Sequence, residues 1–493
     1  MKITTPSQPV VCKNMVGNKF ISPDQTQEPI EVRSPYTNTL IGRLFDTSEA
    51  DLAQATKIAQ EAFERWRKVP LKERANLFLQ FRSIVLGKLD SLSCTAALEA
   101  GKTFEEAKAG ILKGIEVVEF AISLQNAVPG QVQDVSRGVT CSITREPLGV
   151  VAAINPFNFP AMVPMWTYPI AIMMGNTFIM KPSEKVPLTS QLFGEIFLEA
   201  GFPSGVFSII NGGVATVDRI LRNEVIQAVS FVGSTPVAKK VYSEACRSGK
   251  RALALGGAKN FLIVAPDADR ELTTSGVVSS FTGCAGQRCM AGSVLIAVGS
   301  CEPLLENICE RAKKLKLGPE MGAIITKESR DRIKSAIDQM EKRGAKIRVD
   351  GRNPTPPKDY PNGNWLGPTI IDGLKPEDES IATEIFGPVL TIVRVPTLAD
   401  AMAIENKHLY GNATSIFTTS GAAARYVSEK ATNGMIGINI GVPVPREPFS
   451  FGGRKQSKFG AGDITGYSSL DFWTDQKKIT MKWSEESDKN WMS

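Results

Sequence analysis

Histidine is almost absent from this chain of 493 residues, which contains only His408. Metal sites built on several histidines are therefore excluded, and a serine–histidine–aspartate triad would depend on this single residue. His408 lies in the segment Lys407-His408-Leu409-Tyr410-Gly411, which we interpret as a turn. We expect a structural or surface histidine and no bound metal.

Long hydrophobic runs are also missing. No window approaches ~18 consecutive uncharged apolar residues, which a membrane-spanning helix needs. Residues 1–14 lack the apolar stretch of a secretory signal. The net charge of +6, from 57 basic and 51 acidic residues, is small for this length, and no basic block indicates a nucleic-acid tract. We therefore expect a cytosolic protein that binds neither membranes nor nucleic acids.

The sequence has enough apolar material for several cores. Hydrophobic residues make up 42% of it and charged residues 22%, which is typical of globular proteins, and the length predicts two or three domains. Cores of this size do not need disulfides, so we expect the eight cysteines to stay reduced. Cys284 and Cys289 lie five positions apart, which is not a usual zinc-ligand spacing.

The first part of the chain has the pattern of helices. Residues 47–51 are typical of a helix start, with a capping box formed by Ser48 and Asp51, and apolar residues then recur at helical spacing as far as Trp66. Pro70 is expected to break this helix, and further helices are predicted at about 72–101 and 104–124.

From Gly149 onward, short apolar runs alternate with helical segments, a pattern typical of a parallel, doubly wound sheet. The predicted strands of the first region are Val150–Ile154, Thr177–Met180, Val206–Ile210 and Ala228–Val232, with helices at Pro187–Ala200 and Pro236–Ser248. The predicted strands of the second region are Phe261–Val264, Ser293–Val298, Gly322–Ile325, Lys346–Val349 and Val389–Val393. We therefore predict an α/β fold with two sheet-based domains.

Two extended segments lie outside both predicted cores. Residues 132–146 have the pattern of a hairpin, and residues 472–481 are predicted to form a final strand. Long strands outside a core often serve in subunit contact. The predicted division is residues 1–131 and 152–259 for one domain, 260–455 for the second, and 132–151 with 456–493 for oligomerisation.

Polar residues follow three of the predicted strands, at the carboxyl ends where doubly wound sheets bind ligands. In residues 155–160, an asparagine amide could donate to a developing oxyanion. Lys181 and Glu184 are suited to the hydroxyls of a ribose, and Gly233 leads into a helix whose N-terminus favours a pyrophosphate. A cap or turn role is the ordinary alternative for each of them.

The segment Phe281–Met290 is the most specific stretch of the sequence. A cysteine among small residues can be approached closely by a substrate, and Arg288 beside Cys289 is expected to favour the thiolate. A buried structural cysteine is the alternative, and the residues alone do not choose between Cys284 and Cys289.

Five motifs in one order resemble the aldehyde dehydrogenase superfamily over residues 17–483. They are Asn155-Pro-Phe-Asn-Phe-Pro160, Lys181-Pro-Ser-Glu184, Phe231-Val-Gly-Ser-Thr235, Gly286-Gln-Arg-Cys289 and Glu384-Ile-Phe-Gly-Pro388. The resemblance implies a Rossmann-like NAD-binding domain, a second α/β catalytic domain and an extended β arm that builds a homodimer or homotetramer. It also implies Cys289 as the nucleophile, with the Asn158 amide and the Cys289 backbone N–H as the oxyanion hole.

The same resemblance implies a set of residues around NAD. Lys181 and Glu184 would hold the adenosine ribose, and Glu184 would repel a 2′-phosphate, so NAD is expected rather than NADP. Ser234 would lie at the pyrophosphate, and Glu384 and Phe386 near the nicotinamide end. The remaining residues implied at the cofactor are Asn155, Phe157, Lys185 and Gly256.

Leu255 bears on the branch of the superfamily. Hydrolytic members carry Glu-Leu-Gly-Gly-Lys, and laying that lysine on Lys259 puts Leu255 in place of the glutamate that activates water. Leucine cannot accept a proton, so a thioester on Cys289 would wait for another thiol. The sequence resembles the CoA-acylating methylmalonate-semialdehyde dehydrogenase branch, which implies a semialdehyde substrate, CoA as co-substrate, and propionyl-CoA or acetyl-CoA as product.

The substrate residues of that branch are matched only in part. Of its two arginines near the substrate carboxylate, Arg288 matches one, whereas Lys113 replaces the other and loses bidentate geometry. Two other functions stay open from the sequence. A hydrolytic aldehyde dehydrogenase would release a free carboxylic acid, and a non-enzymatic relative would tolerate loss of Cys289 or Asn158.

Overall fold

The computed structural model describes residues 5–128 and 130–483. The parts of the predicted domain division that fall on residues 1–4, 129 and 484–493 lie outside the described residues. Within the described ranges, no helix is both long enough and apolar enough to cross a membrane. The fold is α/β, as predicted, and contains two large sheets with three smaller sheets around them.

The first large sheet has eight strands, of which the five central ones run parallel. In spatial order the strands are Lys458–Phe459, Arg251–Leu255, Ile226–Val232, Val150–Ile154, Thr177–Lys181, Phe207–Ile209, Asn14–Val16 and Lys19–Ile21. The chain winds in one direction from Val150–Ile154 and later returns to its other side. This reversal makes the carboxyl ends of Val150–Ile154 and Ile226–Val232 the expected place for a ligand.

The second large sheet has seven strands and is parallel except for one edge strand, Lys346–Val349. In spatial order the strands are Lys346–Val349, Thr369–Asp372, Val389–Val395, Gly292–Val298, Asn260–Val264, Ala413–Phe417 and Met435–Ile438. The central strand Asn260–Val264 is buried at every position, because parallel sheets of this kind are covered by helices on both faces. That is why it has a continuous apolar run rather than an alternating pattern.

The predicted hairpin and final strand form a sheet of their own. Gln131–Ser136 pairs with Val139–Pro147, and Thr474–Lys482 pairs along the whole of Val139–Pro147. Gln131–Ser136 is an edge strand and is exposed at every position. The other small sheets are Val10–Val11 with Leu40–Leu44 and Ile30–Arg33, and Tyr410–Gly411 with Arg454–Lys455.

The helices of the first half start and end close to the predicted positions. Ser48 caps the first helix by accepting the Asp51 N–H, which is half of the predicted capping box, and the Asp51 carboxylate accepts the Ser48 hydroxyl instead of its backbone N–H. Pro70 precedes the second helix. The predicted helix at 72–101 is divided at Lys88. The α-helices are Glu49–Trp66, Leu71–Gly87, Leu89–Ala100, Phe104–Ala127, Met162–Met173, Leu188–Glu199, Val214–Arg222, Thr235–Arg247, Arg270–Thr282, Glu302–Lys313, Lys327–Lys342, Glu379–Ala382, Leu398–Lys407, Gly421–Lys430 and Gly466–Trp473.

The prediction of a strand at Gly322–Ile325 is wrong. The segment is buried and apolar, but its backbone N–H groups go to three separate places instead of one neighbouring strand. Ala323 N–H donates to the Gly101 carbonyl, Ile324 N–H to the Asn364 carbonyl, and Ile325 N–H to the Gln287 side chain. Burial alone therefore produced the apolar run. Seven strands of the large sheets were not predicted, namely Asn14–Val16, Lys19–Ile21, Arg251–Leu255, Thr369–Asp372, Ala413–Phe417, Met435–Ile438 and Lys458–Phe459.

His408 has a structural position. It follows the helix Leu398–Lys407 as its C-terminal cap and is buried. Its Nε2 lies 3.0 Å from the Ile381 carbonyl oxygen, and its Nδ1 accepts the Tyr410 N–H at 3.1 Å. Both ring nitrogens are thus used to fix the local chain, and burial lowers the pKa of the imidazole.

A buried carboxyl caps the helix Leu188–Glu199, which follows the Lys181–Glu184 segment. Glu99, which has no exposed surface, accepts the backbone N–H of Leu188 at 2.7 Å and of Thr189 at 2.9 Å. Burial raises the pKa of Glu99 from 4.5 to about 7, because removing the carboxylate from water outweighs these two hydrogen bonds. Between pH 4.5 and about pH 7, Glu99 therefore keeps its proton in the folded chain but has lost it in the unfolded chain.

Glu99 should therefore make stability fall as pH rises from 4.5 towards 7. We expect the native chain to lose up to about 3 kcal/mol of unfolding free energy relative to Glu99→Gln across this window. Urea unfolding of both proteins at several pH values measures the difference between their free energies of unfolding. The other titrating groups are the same in both proteins, so their contributions cancel. Parallel stability curves for the two proteins would contradict the prediction.

Candidate active site

Cys289 lies on a turn between the helix Arg270–Thr282 and the strand Gly292–Val298. Two asparagine amides hold this turn, because Asn260 Nδ2 and Asn412 Nδ2 both donate to the Cys289 carbonyl, at 2.7 and 3.0 Å. Asn412 Nδ2 also lies 3.2 Å from Asn260 Oδ1. The thiol is half-buried and free of any disulfide, so its position is fixed by backbone contacts while its sulfur stays available for chemistry.

Asn158 lies beside the same turn, as the sequence predicts for a residue that follows the strand Val150–Ile154. Its side-chain Nδ2 donates to the Gln287 carbonyl at 3.0 Å, and the residue is buried. An asparagine amide has two N–H donors. One is used to place the amide against the turn that carries Cys289, and the other can donate to an oxygen atom on a substrate.

Arg288 is held by the backbone of the preceding helix. Its guanidinium donates to the carbonyls of Ser279 and Ser280, at the end of that helix. Burial and the Glu384 carboxylate together raise the pKa of the Cys289 thiol to about 12. The positive charge of Arg288 lowers this pKa, in the direction that the sequence predicts, but desolvation of the thiolate outweighs it.

The residues predicted at the adenosine ribose lie at the carboxyl ends of adjacent strands. Lys181 ends the strand Thr177–Lys181, and its Nζ lies 3.4 Å from Glu184 Oε2. Burial lowers the pKa of Lys181, and the Glu184 carboxylate opposes this shift. Asn155 is next to them, because its backbone N–H donates to the Lys181 carbonyl at 3.0 Å. A cation, a partly exposed carboxylate and an amide are thus brought together, which suits hydroxyl groups.

The helix Thr235–Arg247 presents a free N-terminus at the same edge of the sheet. Ser234 is its N-cap residue, and its side chain makes no capping hydrogen bond. No acidic residue lies in the first turn, so its N–H groups are available to an anion. Gly256 lies close by, and a Cβ there would come within 2.7 Å of the Gln456 carbonyl oxygen, so only glycine fits.

Glu384 and Phe386 belong to the second domain but reach the first. Glu384 Oε1 accepts the Ala258 N–H at 3.0 Å, and burial raises the pKa of this carboxyl to about 7. The Phe386 ring meets the Phe157 ring edge-on with centroids 5.9 Å apart, and Lys185 Nζ lies 5.2 Å from the centroid of Phe157. Residues that follow strands of the two large sheets therefore meet at Ala258 and at Phe157.

Lys113 is engaged in an ion pair. Its Nζ lies 2.5 Å from Glu116 Oε2, and Arg446 Nη2 lies 3.0 Å from the other oxygen of the same carboxylate. Arg288 lines an open cavity of about 1330 Å³ whose lining residues do not include Lys113. The structure therefore does not bring the two predicted substrate residues onto this one cavity.

Leu255 and Ala254 pack on opposite faces of the first sheet. The Leu255 side chain belongs to the large apolar cluster that also includes Met290 and Cys289, whereas Ala254 packs in a different cluster. Successive side chains of a strand point to opposite faces, which accounts for this division. The end of this strand therefore presents leucine, a side chain without a proton acceptor, to the cluster that includes the cysteine.

Asn412, Asn260 and Lys259 were not among the predicted site residues. Lys259 is fully buried, donates to the Thr383 carbonyl at 2.9 Å, and has a pKa that burial lowers to about 8. Asn260 and Lys259 belong to the Gly-Ala-Lys-Asn motif, which was a usable signal. Asn412 has no local signal, because only the pairing of Ala413–Phe417 with Asn260–Val264 brings it to Cys289.

Comparison with known proteins agrees with this geometry. The model of the aldehyde dehydrogenase family matches residues 20–479. The chain is 39% identical to methylmalonate-semialdehyde dehydrogenase [acylating] of Arabidopsis thaliana, over 98% of this chain and 80% of that protein. It is also 39% identical to malonate-semialdehyde dehydrogenase 1 of Geobacillus kaustophilus, over 98% of this chain and 99% of that protein.

Solved structures are similar over the same length. Methylmalonate-semialdehyde dehydrogenase from Oceanimonas doudoroffii has a TM-score of 0.95 at 38% identity, covering 98% of this chain and 100% of the other. A protein from Sinorhizobium meliloti that was crystallised with NAD has a TM-score of 0.94 at 37% identity, covering 97% and 99%.

Proposed function

The chain belongs to the aldehyde dehydrogenase family, and we propose that it oxidises malonate semialdehyde or methylmalonate semialdehyde with NAD and passes the acyl group to CoA. The products are acetyl-CoA from malonate semialdehyde and propionyl-CoA from methylmalonate semialdehyde. The relatives named for these two aldehydes support the substrate class. The single observation that carries the CoA step is Leu255, a side chain without a proton acceptor that packs in the apolar cluster to which Cys289 also belongs, at the position where hydrolytic members carry the water-activating glutamate.

Cys289 is the proposed nucleophile. Its Sγ bonds to the aldehyde carbon, and the carbonyl oxygen, as it gains charge, takes hydrogen bonds from the second Asn158 N–H and the Cys289 backbone N–H. The thiol must lose its proton for this attack, and burial together with the Glu384 carboxylate raises its pKa to about 12. Binding of substrates, which places new dipoles and charges in the cleft, is therefore expected to shift this pKa before reaction.

The cleft between the two domains has the groups that NAD needs. Lys181 and Glu184 are placed for the adenosine ribose, the uncapped helix start at Ser234 for the pyrophosphate, and Glu384 for the second ribose. Bound NAD supplies the hydride acceptor that converts the thiohemiacetal on Cys289 to a thioester. The rest of the proposed cofactor site is formed by Asn155, Phe157, Lys185, Gly256 and Phe386.

The thioester on Cys289 is the branch point of the reaction. The bond between the α-carbon and the substrate carboxylate breaks, the carboxylate leaves as carbon dioxide or, with a water molecule, as bicarbonate, and the α-carbon takes a proton from solvent. The CoA thiol then attacks the acyl carbon, the bond to Cys289 breaks, and the thiol proton passes to the released Cys289 thiolate. Water would compete if a base were present, and the apolar surroundings of Leu255 disfavour such a base. The proposed contacts of the substrate carboxylate are Arg288 and Lys113, of which the lysine cannot form a bidentate pair. Lys113 must then leave its ion pair with Glu116 or share its ammonium between the two carboxylates.

The test measures NADH formation from malonate and methylmalonate semialdehydes with and without CoA, and identifies the product by mass spectrometry. We expect CoA-dependent turnover to acetyl-CoA or propionyl-CoA. An aldehyde of equal length without the carboxylate is the matched control and should turn over more slowly. Turnover to a free acid that is indifferent to CoA would instead establish the hydrolytic alternative.

The proposal includes an oligomer and a cytosolic location. The edge strand Gln131–Ser136 is exposed along its length, and Val132 on it is 76% exposed. An edge of this kind is usually covered by another chain. We assign residues 132–151 and 456–493 to subunit contact in a homodimer or homotetramer, residues 1–131 and 152–259 to NAD binding, and residues 260–455 to catalysis. Sedimentation of the purified protein measures the oligomeric state.

A further inference from the structure

A second cysteine of the same turn is in contact with a buried lysine. Lys102 is 4% exposed, and its Nζ lies 2.8 Å from Cys284 Sγ. The ammonium also lies 3.8 Å from the centroid of the Phe159 ring. Burying a lysine is costly unless its contacts compensate. Here its nitrogen is held directly against a sulfur atom, which the proposed dehydrogenase reaction does not use.

The backbone of the turn holds the sulfur in this position. Cys284 and Ala285 both have a left-handed conformation, with φ of 53° and 52°, which is uncommon for residues other than glycine. The Cys284 N–H donates to Glu106 Oε1 at 2.5 Å, and its carbonyl accepts the Gln287 N–H at 3.0 Å. An uncommon conformation that several hydrogen bonds maintain points to a specific use of the side chain it presents.

Small molecules can approach this pair from solvent. Cys284 is 7% exposed, and its neighbours Glu106, Thr282 and Gly283 line the open cavity of about 1330 Å³. A hydroperoxide is much smaller than this cavity, so the access suits oxidation of the sulfur by a peroxide.

We propose that Cys284 and Lys102 form a reversible oxidative modification site, in which a hydroperoxide oxidises the thiol and the lysine amine then captures the sulfur as a sulfur–nitrogen cross-link. In the first step the sulfur takes one oxygen from the hydroperoxide, the O–O bond breaks, and the thiol becomes a sulfenic acid while the hydroperoxide becomes water or an alcohol. In the second step Lys102, after giving its ammonium proton to solvent, forms the N–S bond. The sulfenic oxygen leaves as water.

Proximity makes the second step fast. The two reacting atoms are already within 2.8 Å, so no loop has to move and the reaction is intramolecular. Capture by the amine keeps the sulfur in a state that a thiol can reduce. Without it, the sulfenic acid would be open to further oxidation to sulfinic acid, which is irreversible by ordinary thiols. Such a charged group in a buried site next to Phe159 and Asn158 would disturb the oxyanion hole.

Tryptic peptides separate this cysteine from the nucleophile. Cleavage after Arg270 and Arg288 yields the peptide 271–288, in which Cys284 is the single cysteine. The cross-link also blocks cleavage after Lys102, so the partner peptide is 89–108. After treatment with hydrogen peroxide, we expect these two peptides joined, with the mass of their sum less two hydrogen atoms. Dithiothreitol should release them.

The matched control is Lys102→Arg, which retains the positive charge but has a guanidinium that does not capture a sulfenic acid. It should give no cross-link and should accumulate sulfinic acid on peptide 271–288 at peroxide doses where the native chain does not. Cys284→Ala should leave cleavage after Lys102 unchanged, and Ala285 shows that alanine accepts this backbone conformation. A disulfide between Cys94 and Cys284 is distinguished because cleavage after Lys102 would then proceed.

This inference does not rest on the proposed function, since its readout is peptide mass rather than turnover. Joined peptides 89–108 and 271–288 that separate on reduction would support it. Sulfinic acid at Cys284 in the native chain as readily as in Lys102→Arg, or oxidation confined to the other cysteines, would overturn it. The folding of each variant is checked by thermal unfolding before oxidation.

Discussion

Cys289→Ala is expected to lower kcat by about 10⁴-fold or more, because the thioester route then has no nucleophile. The amides of Asn260 and Asn412 bind Cys289 through its carbonyl and not through its sulfur, so the turn should keep its shape without the sulfur. NADH release with saturating aldehyde and CoA measures the loss. Mass spectrometry should also show no acyl group on the variant.

The matched control for this variant is Cys284→Ala. Both cysteines lie on one turn, but Cys284 contacts Lys102, whereas Cys289 borders the large apolar cluster that includes Leu255. Activity should therefore survive at Cys284→Ala within a small factor. If instead Cys284→Ala removed the acyl-enzyme and Cys289→Ala kept it, the assignment of the nucleophile would be reversed.

Leu255→Glu is expected to open a hydrolytic route. A carboxylate at this position would face the cluster around Cys289 and could take a proton from an attacking water molecule. General-base assistance is worth about 10²-fold or more, so the rate of free-acid release without CoA should rise by about this factor. Burial would raise the pKa of the new carboxyl, because the site is apolar, so the effect should grow as pH increases.

Leu255→Gln separates the base from the change in polarity. Glutamine has nearly the same size as glutamate but accepts no proton at these pH values, so free-acid release should stay at the native level. Both variants are expected to lose some stability, since Leu255 is 5% exposed and packs against apolar neighbours. Equal rates of hydrolysis in both variants would show that the water-activating group lies elsewhere.

Much of the fold could be predicted because local pattern and tertiary environment agree. Val150–Ile154 and Asn260–Val264 are buried on both faces, so their burial appears in the sequence as unbroken apolar runs. Arg251–Leu255 was missed because its alanines and leucines have no strong strand preference. Gly322–Ile325 was misassigned because it is buried without a neighbouring strand to pair with.

The prediction of the site was strongest where residues are close in sequence. Asn155 to Asn158 and Lys181 to Glu184 follow strands directly, so the strand prediction already places them at one edge of the sheet. Asn412 was missed because 123 positions separate it from Cys289. The effect of Arg288 on the Cys289 thiol has the predicted direction, but the sequence does not show the burial that outweighs it or the carbonyls that bind the guanidinium.

The sequence by itself determined the class of fold, the likeness to aldehyde dehydrogenases, and the absence of a carboxylate at position 255. These depend on residue identity and on short-range spacing, which the chain carries directly. The tertiary structure alone decided which face Leu255 takes, where the Arg288 guanidinium binds, and that Lys102 meets Cys284 across 182 positions. Contacts of this kind depend on how segments that are distant in sequence pack together. Their strength depends on how deeply the charged groups are buried, which no local sequence pattern encodes.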